Sequence, residues 1–181
     1  MTGKNIRKLV LAALLAALTA VATMIIRIPT PTQGYIHLGD GMVLICGILL
    51  GPGLGALAAG IGSMADLIGG YMAWVPGTFA IKALTALLGG WLYHRMAGKG
   101  MNTITRVVLC GIPAEIIMVL GYFVYEVGME VVMGSSMGAA AAAVVLGVPM
   151  NIVQGIAGII VGAVLLPVLS HASAEMGRRY A

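Results

Sequence analysis

The sequence predicts an all-helical integral membrane protein: one domain, residues 1–181, folded as a bundle of six transmembrane helices with both termini in the cytoplasm. Three observations predict it. Only 9% of the 181 residues are charged while 60% are apolar, against about 25% charged in a soluble domain. Mean hydropathy is +1.05. The apolar residues also fall into six runs separated by turn-forming or basic stretches. A compact chain with so few charges cannot cover its surface with polar groups. An ordinary cytoplasmic enzyme, a disordered chain and a nucleic-acid binder are thereby excluded. At about 20 residues per helical span, the length admits six or seven spans at most.

The first run covers about residues 6–26. It is longer than the 7–15 apolar residues of a signal peptide and no small-residue cleavage site follows, so it reads as a retained helix. RIPTPTQGYIHLGD, with two prolines and two glycines, is a loop. The second span, about 41–50, is short and stops at the turn Gly51-Pro52-Gly53. The third covers about 54–68; together these two hold about one and a half membrane thicknesses and are short, tilted or partly re-entrant. GGYMAWVPG turns the chain into the fourth span, about 78–93. The hydrophilic stretch HRMAGKGMNTITR leads to the fifth, about 107–125. The sixth lies within 139–169. Residues 128–148 read either as an extracytoplasmic loop before a long sixth helix or as a short helix packed on the outer face.

The ten basic residues set the orientation. Lys4, Arg7 and Lys8 precede span one, Arg95, Lys99 and Arg106 lie between spans four and five, and Arg178 and Arg179 follow span six. An even number of spans with a cytoplasmic N-terminus puts all eight inside. Asp40, Glu126 and Glu130 then fall outside or near the outer surface. The same excess of base explains the net charge of +4 without an anionic partner. Cys46 and Cys110 lie in apolar runs and read as small buried hydrophobes, with neither disulfide nor metal-ligand spacing.

Span one carries small residues every fourth position, Ala12, Ala16 and Ala20, with Ala13 and Ala17 beside them. Such a stripe lets another helix backbone approach closely. From spacing alone it reads as packing within the bundle, as do Gly51, Gly55, Ala59, Gly60, Gly62 and Ala65.

An ionisable group inside a span costs about 2.5–3.5 kcal/mol on insertion scales unless it is paired or lines a cavity. Each one here is therefore informative. Asp66 ends span three, Lys82 lies two turns into span four, Glu115 lies within span five and Glu126 closes it. Glu115, Val119, Tyr122 and Glu126 share one helical face, and Asn151 with Gln154 form an i, i+3 pair on span six. With Tyr35, His37, Asp40, Tyr71 and Trp74 from the loops, most of these groups fall on the outer side. They outline a polar, partly aromatic small-molecule pocket. Structural alternatives stand beside that reading. Asp66 and Lys82 pair across the turn, Asp40 caps span two, Glu126 and Glu130 are solvated rim charges, Tyr71 and Trp74 anchor at the interface, and His94 and His171 are surface residues. No phosphate-binding loop and no nucleophile–base arrangement is present, so the chain does not hydrolyse ATP by itself and does not read as an enzyme. No metal or cofactor is called for.

Five stretches in order, IPTPTQGYIHLGDG, LLGPGLGALAAGIGSMADLIGGY, WVPGTFAIKAL, PAEIIMVLGYFVYE and VPMNIVQG, resemble the substrate-binding S components of energy-coupling factor (ECF) vitamin transporters. The likeness runs from about residue 8 to 168. It implies a multi-pass subunit of a prokaryotic cell membrane that binds a vitamin or precursor at the outer face. Such a subunit docks on a shared transmembrane scaffold subunit driven by two cytoplasmic ATPases, and topples in the bilayer to release its cargo. It also implies that the alanine stripe, Ala12, Ala16 and Ala20 or Ala13 and Ala17, is a docking surface between subunits, which reverses the reading from spacing. The site is implied to use the loops after helices one and three together with helices four to six. YIHLGD looks closest to the riboflavin, pyridoxine and hydroxymethylpyrimidine branch. The expected substrate is a B6-type pyridine or a thiamine-precursor pyrimidine, then riboflavin. A stand-alone carrier using Glu115 as a proton relay, and a structural membrane subunit without a ligand, are the competing expectations.

Overall fold

The computed structural model describes residues 3–32 and 34–179, apart from the side chains of Lys4 and residues 172–179. The readings on the side chains of Lys4, Arg178 and Arg179 fall outside that set. The chain forms α1 (Gly3–Ile25), a two-residue hairpin of β1 (Ile28–Pro29) and β2 (Tyr35–Ile36), α2 (Asp40–Leu50), α3 (Pro52–Ser63), α4 (Val75–Arg95), α5 (Thr103–Val132), α6 (Met137–Val144) and α7 (Val148–Arg179). Single 3₁₀ turns, Met64–Leu67 and Met72–Trp74, join α3 to α4.

α2 is the centre of the bundle. Every residue from Asp40 to Ile48 is buried, which is why its sequence, GMVLICGIL, has no polar stripe. Gly51 ends it at φ +82°, a conformation natural to glycine. Pro52 then opens α3, its missing N–H falling where a first-turn donor has no intrahelical partner. α3 folds back along α2 so closely that a Cβ on Gly55 would lie 2.4 Å from the Cys46 carbonyl oxygen. The same device joins α2 to α4, where a Cβ on Gly90 would lie 2.3 Å from the Gly47 carbonyl. In an apolar solvent, such backbone contact replaces the hydrophobic effect as the source of helix association.

α2 and α3 have 11 and 12 residues, or about 17 Å each at 1.5 Å per residue, against about 30 Å of hydrocarbon. Each was expected as a span; each is too short to cross alone. Among the described residues, four segments are long and apolar enough to do so: 5–25, 72–95, 103–132 and 137–171. Span five does not end at Tyr125. Asn102 caps its start, accepting from the Thr105 N–H at 2.8 Å, and the helix runs on through Glu126 and Glu130 to Val132. Of the two readings of residues 128–148, the structure has the short helix. α6 lays Ala140 and Val144 on Val127 of α5, and α7 starts afresh at Val148.

α1 buries Ala12, Leu15, Thr19 and Thr23, spaced 3, 4 and 4, so one face meets the bundle. The opposite face, with Val10, Leu14, Val21 and Ile25, is exposed. Ala16 belongs to the inner half: a Cβ on Gly62 would lie 2.4 Å from its carbonyl oxygen. Ala20 is half-buried, whereas Ala13 and Ala17 are exposed. Cys46 and Cys110 are free and buried.

Candidate functional site

The α1–α2 loop is pinned as a hairpin by Ile28↔Ile36 and Pro29↔Tyr35 pairing and by Thr30 N–H donating to the Gly34 carbonyl at 3.0 Å. Pairing alternates the side chains, so Tyr35 and His37 lie on one side of β2. They face the 3₁₀ turns and α4, α5 and α7, and the result is two linked polar networks.

The first network is deep. Lys82 and Asp40 are both fully buried and form an ion pair. The second Asp40 oxygen accepts from Gln154 Nε2 at 2.8 Å, and Gln154 Oε1 accepts from the His37 backbone N–H at 2.9 Å. His37 Nδ1 accepts from the Gly39 N–H at 2.9 Å. That bond places any proton of the neutral ring on Nε2. Burial, reinforced by the Lys82 charge, pushes His37 down to about 3, so the ring is neutral. Four elements are thus tied through one carboxylate.

The second network walls a cavity. Asp66 accepts from the Tyr35 hydroxyl and from Thr78 Oγ1, the latter at 2.7 Å. Tyr122 donates to Thr78 at 3.2 Å, and its ring lies 5.0 Å from Lys82 Nζ, joining the two networks. Burial, then the Asp66 hydrogen bond and charge, push the Tyr35 phenol upward, so it stays a donor. The Tyr35 and Tyr71 rings are 4.5 Å apart, and Tyr71 meets Trp74 edge-on at 6.1 Å. The enclosed space is about 20 Å³, room for about one water. Beyond Trp74 and Glu126 lies a second chamber of about 90 Å³.

Of the residues singled out from the sequence, Tyr35, His37, Asp66, Tyr71, Trp74, Tyr122, Glu126 and Asn151 line the first cavity together. Asp40, Lys82 and Gln154 lie behind it, engaged with one another. Glu115 is elsewhere: it lines an apolar groove between α5 and α7, both carboxylate oxygens buried and unbonded. Two structural alternatives are corrected. Lys82 pairs with Asp40, not Asp66, because Asp66 is turned toward Tyr35 and Thr78. Asp40 does not cap α2: Gly39 is the N-cap residue, without a side-chain bond, and the Asp40 carboxylate is taken by Lys82 and Gln154. Reasoning from sequence missed Thr30, Gly34 and Thr78. Thr78 had a signal, standing one turn before Lys82 on the same face of α4.

Two polar atoms on the cavity wall, the Trp74 indole N–H and Glu126 Oε2, are buried without a hydrogen-bond partner. One is a donor and one an acceptor, and they are neighbours on that wall, neither held in a hydrogen bond of good geometry.

Comparison with known proteins agrees with this architecture. Residues 3–171 match the family described as ECF-type riboflavin transporter, S component. A protein of Pyrococcus woesei, described as "Uncharacterized protein in gap 3'region", is 37% identical over 147 residues, covering 80% of this chain and 89% of its own. A solved structure described as "Structure and mechanism of the S component of a bacterial ECF transporter" superposes with a TM-score of 0.69 at 19% identity, covering 92% of this chain and 97% of its own. That likeness shows the fold.

Proposed function

The chain belongs to the ECF-type riboflavin transporter S-component family, a family of membrane transport subunits, and on that premise we propose that it captures a small heteroaromatic vitamin between Tyr35, Asp66, Tyr71, Trp74, Tyr122 and Asn151, whose side chains part to admit a ring into a space that in the closed form holds about one water. The observation that carries this reading is the convergence of one loop, two 3₁₀ turns and three helices on a single polar and aromatic cavity in an otherwise apolar bundle. Aromatic faces stack a flat ring, while Asp66, Asn151, Glu126 and the Trp74 N–H read its substituents. The buried Lys82–Asp40–Gln154 network holds α2, α4, α7 and the His37 loop in register behind the site. A B6-type pyridine or a thiamine-precursor pyrimidine is the favoured cargo, with riboflavin next.

The proposal includes the rest of the assembly: six membrane-embedded helices with cytoplasmic termini in a prokaryotic plasma membrane, and docking on a scaffold subunit driven by two ATPases. A thermal-shift panel of water-soluble vitamins on the purified chain, without ATP, tests it. One heteroaromatic vitamin raises the melting temperature; a panel without a hit contradicts it. A second reading, a proton-coupled carrier, is favoured by one observation, the unbonded buried carboxylate of Glu115. Uptake abolished by an uncoupler yet indifferent to ATP depletion would support it.

A further inference from the structure

The charged side chains that line the two chambers are all acidic. Asp66 and Glu126 face the first, Glu126 and Glu130 the second. Glu126 and Glu130 are i, i+4 on α5 and so share a face. No lysine, arginine or histidine lines the second chamber among the described residues. The nearby cations are committed elsewhere. Lys82 is sealed behind the wall by Asp40. Arg27 stacks on the Tyr35 ring, its Cζ 5.3 Å from the centroid, and lines neither chamber.

Glu126 stands at the junction. It is 93% buried, being 7% exposed, its Oε2 has no hydrogen-bond partner, and its polar neighbours are Thr32 and Trp74. Glu130, half-buried, accepts from Ser135 Oγ at 3.2 Å. The remaining wall is soft: Met129, Met133, Ala143 and Val144. A carboxylate with one oxygen unbonded and only Thr32 and Trp74 as polar neighbours is stabilised by a ligand that brings it a further donor or a positive charge, and opposed by one that brings a second negative charge.

We propose that the second chamber is a substituent subsite: the aromatic residues of the first chamber part to admit the ring of the ligand, and a hydroxyl, amino or ammonium substituent extends past Glu126 at the junction of the two. Glu126 is then the specificity-determining residue that selects the unphosphorylated form of the vitamin against its phosphate ester. This rests on the vitamin-binding reading above and goes further in naming the chemistry of the accepted substituent. It also suits an importer, since a phosphate ester is the form a cell retains by its charge.

The test is equilibrium binding to the purified full-length chain with matched pairs: pyridoxine and pyridoxine 5′-phosphate, riboflavin and riboflavin 5′-phosphate, hydroxymethylpyrimidine and its phosphate. For whichever parent binds, the ester is expected to bind at least thirtyfold more weakly. Glu126→Gln is expected to weaken the parent and to narrow that gap at least tenfold. Glu130→Gln, at a half-exposed position, narrows it about threefold and tests the same field should Glu126→Gln fail to fold. An ester that binds as tightly as its parent overturns the inference, as does a gap that both variants leave unchanged. If no parent binds, the vitamin-binding reading itself fails, an outcome distinct from loss of discrimination.

Discussion

Lys82 and Asp40, 42 positions apart in sequence, form an ion pair with no solvent exposure on either side chain. The pair joins the middle of α4 to the first turn of α2, the helix around which the bundle is packed. Asp40 also accepts from Gln154 of α7, and Gln154 holds the His37 backbone. Removing one partner leaves a charge stranded in the bundle, whereas removing both leaves a hole of ordinary apolar character.

Lys82→Met alone is therefore expected to destabilise the protein by about 3–5 kcal/mol. Lys82→Met with Asp40→Leu recovers a large part of that loss. Melting temperatures in one detergent, measured for the two single variants and the double, check it; additive losses would show that the two side chains act independently.

Tyr35→Phe removes a donor to Asp66 without changing the shape of the ring. Net worth for a hydrogen bond to a charged group is about 1.5–3 kcal/mol. The melting temperature without ligand is therefore expected to fall by several degrees, and if Tyr35 also holds Asp66 in place for the ligand, affinity drops by roughly tenfold or more. Titration of both proteins with the vitamin found in the panel decides the matter.

His37 gives stability a sign with pH. The folded protein does not protonate this ring until near pH 3, while an unfolded chain does so below about 6.5. The unfolded state thus holds more protons between those limits. The contribution is complete above about pH 6.5 and falls as pH is lowered, by on the order of 1–2 kcal/mol at pH 5. Between pH 7.5 and pH 5 the wild-type protein should lose more stability than His37→Gln, which retains an acceptor for the Gly39 N–H. Equal losses would mean the ring is already charged.

The two alanine stripes of α1 make opposite predictions. Ala16 packs its backbone on Gly62, so Ala16→Leu forces α1 from α3 and lowers the melting temperature. Ala13 and Ala17 face outward. Leucine there leaves vitamin binding intact, and if this face docks on the scaffold subunit, ATP-driven uptake falls more than tenfold. Unchanged uptake in Ala13→Leu and Ala17→Leu would assign docking to another surface.

Much of this was legible in the sequence, for one physical reason: charges are so costly in lipid that each survivor marks a place where the chain needs it. Eight of the twelve proposed ligand residues do gather round one cavity. Partner choice was not legible. Asp66 and Lys82 stand close in sequence, and Asp40 sits where a cap would sit. The structure instead joins Lys82 to Asp40, because the α2–α3 hairpin returns α4 alongside α2, a tertiary fact that local spacing does not carry. The length of α5 was missed because Glu126 and Glu130 looked like a solvated end. They are buried and half-buried because α6 covers that end of the helix. Glu115 was grouped with the site by its helical face, yet it stands about two turns from Tyr122 toward the other end of α5, and that takes it into a different groove.

The central claim is that the cavity between Tyr35 and Asn151 holds a vitamin. The most direct measurement is a titration of the purified chain, alone and without ATP, with the vitamin identified by the thermal-shift panel, run on wild type and on Asn151→Ala. The account predicts one-site, sub-micromolar binding by the wild type and affinity at least tenfold weaker in the variant at an unchanged melting temperature. Absence of binding in the wild type, or equal affinity in the two proteins, would contradict it.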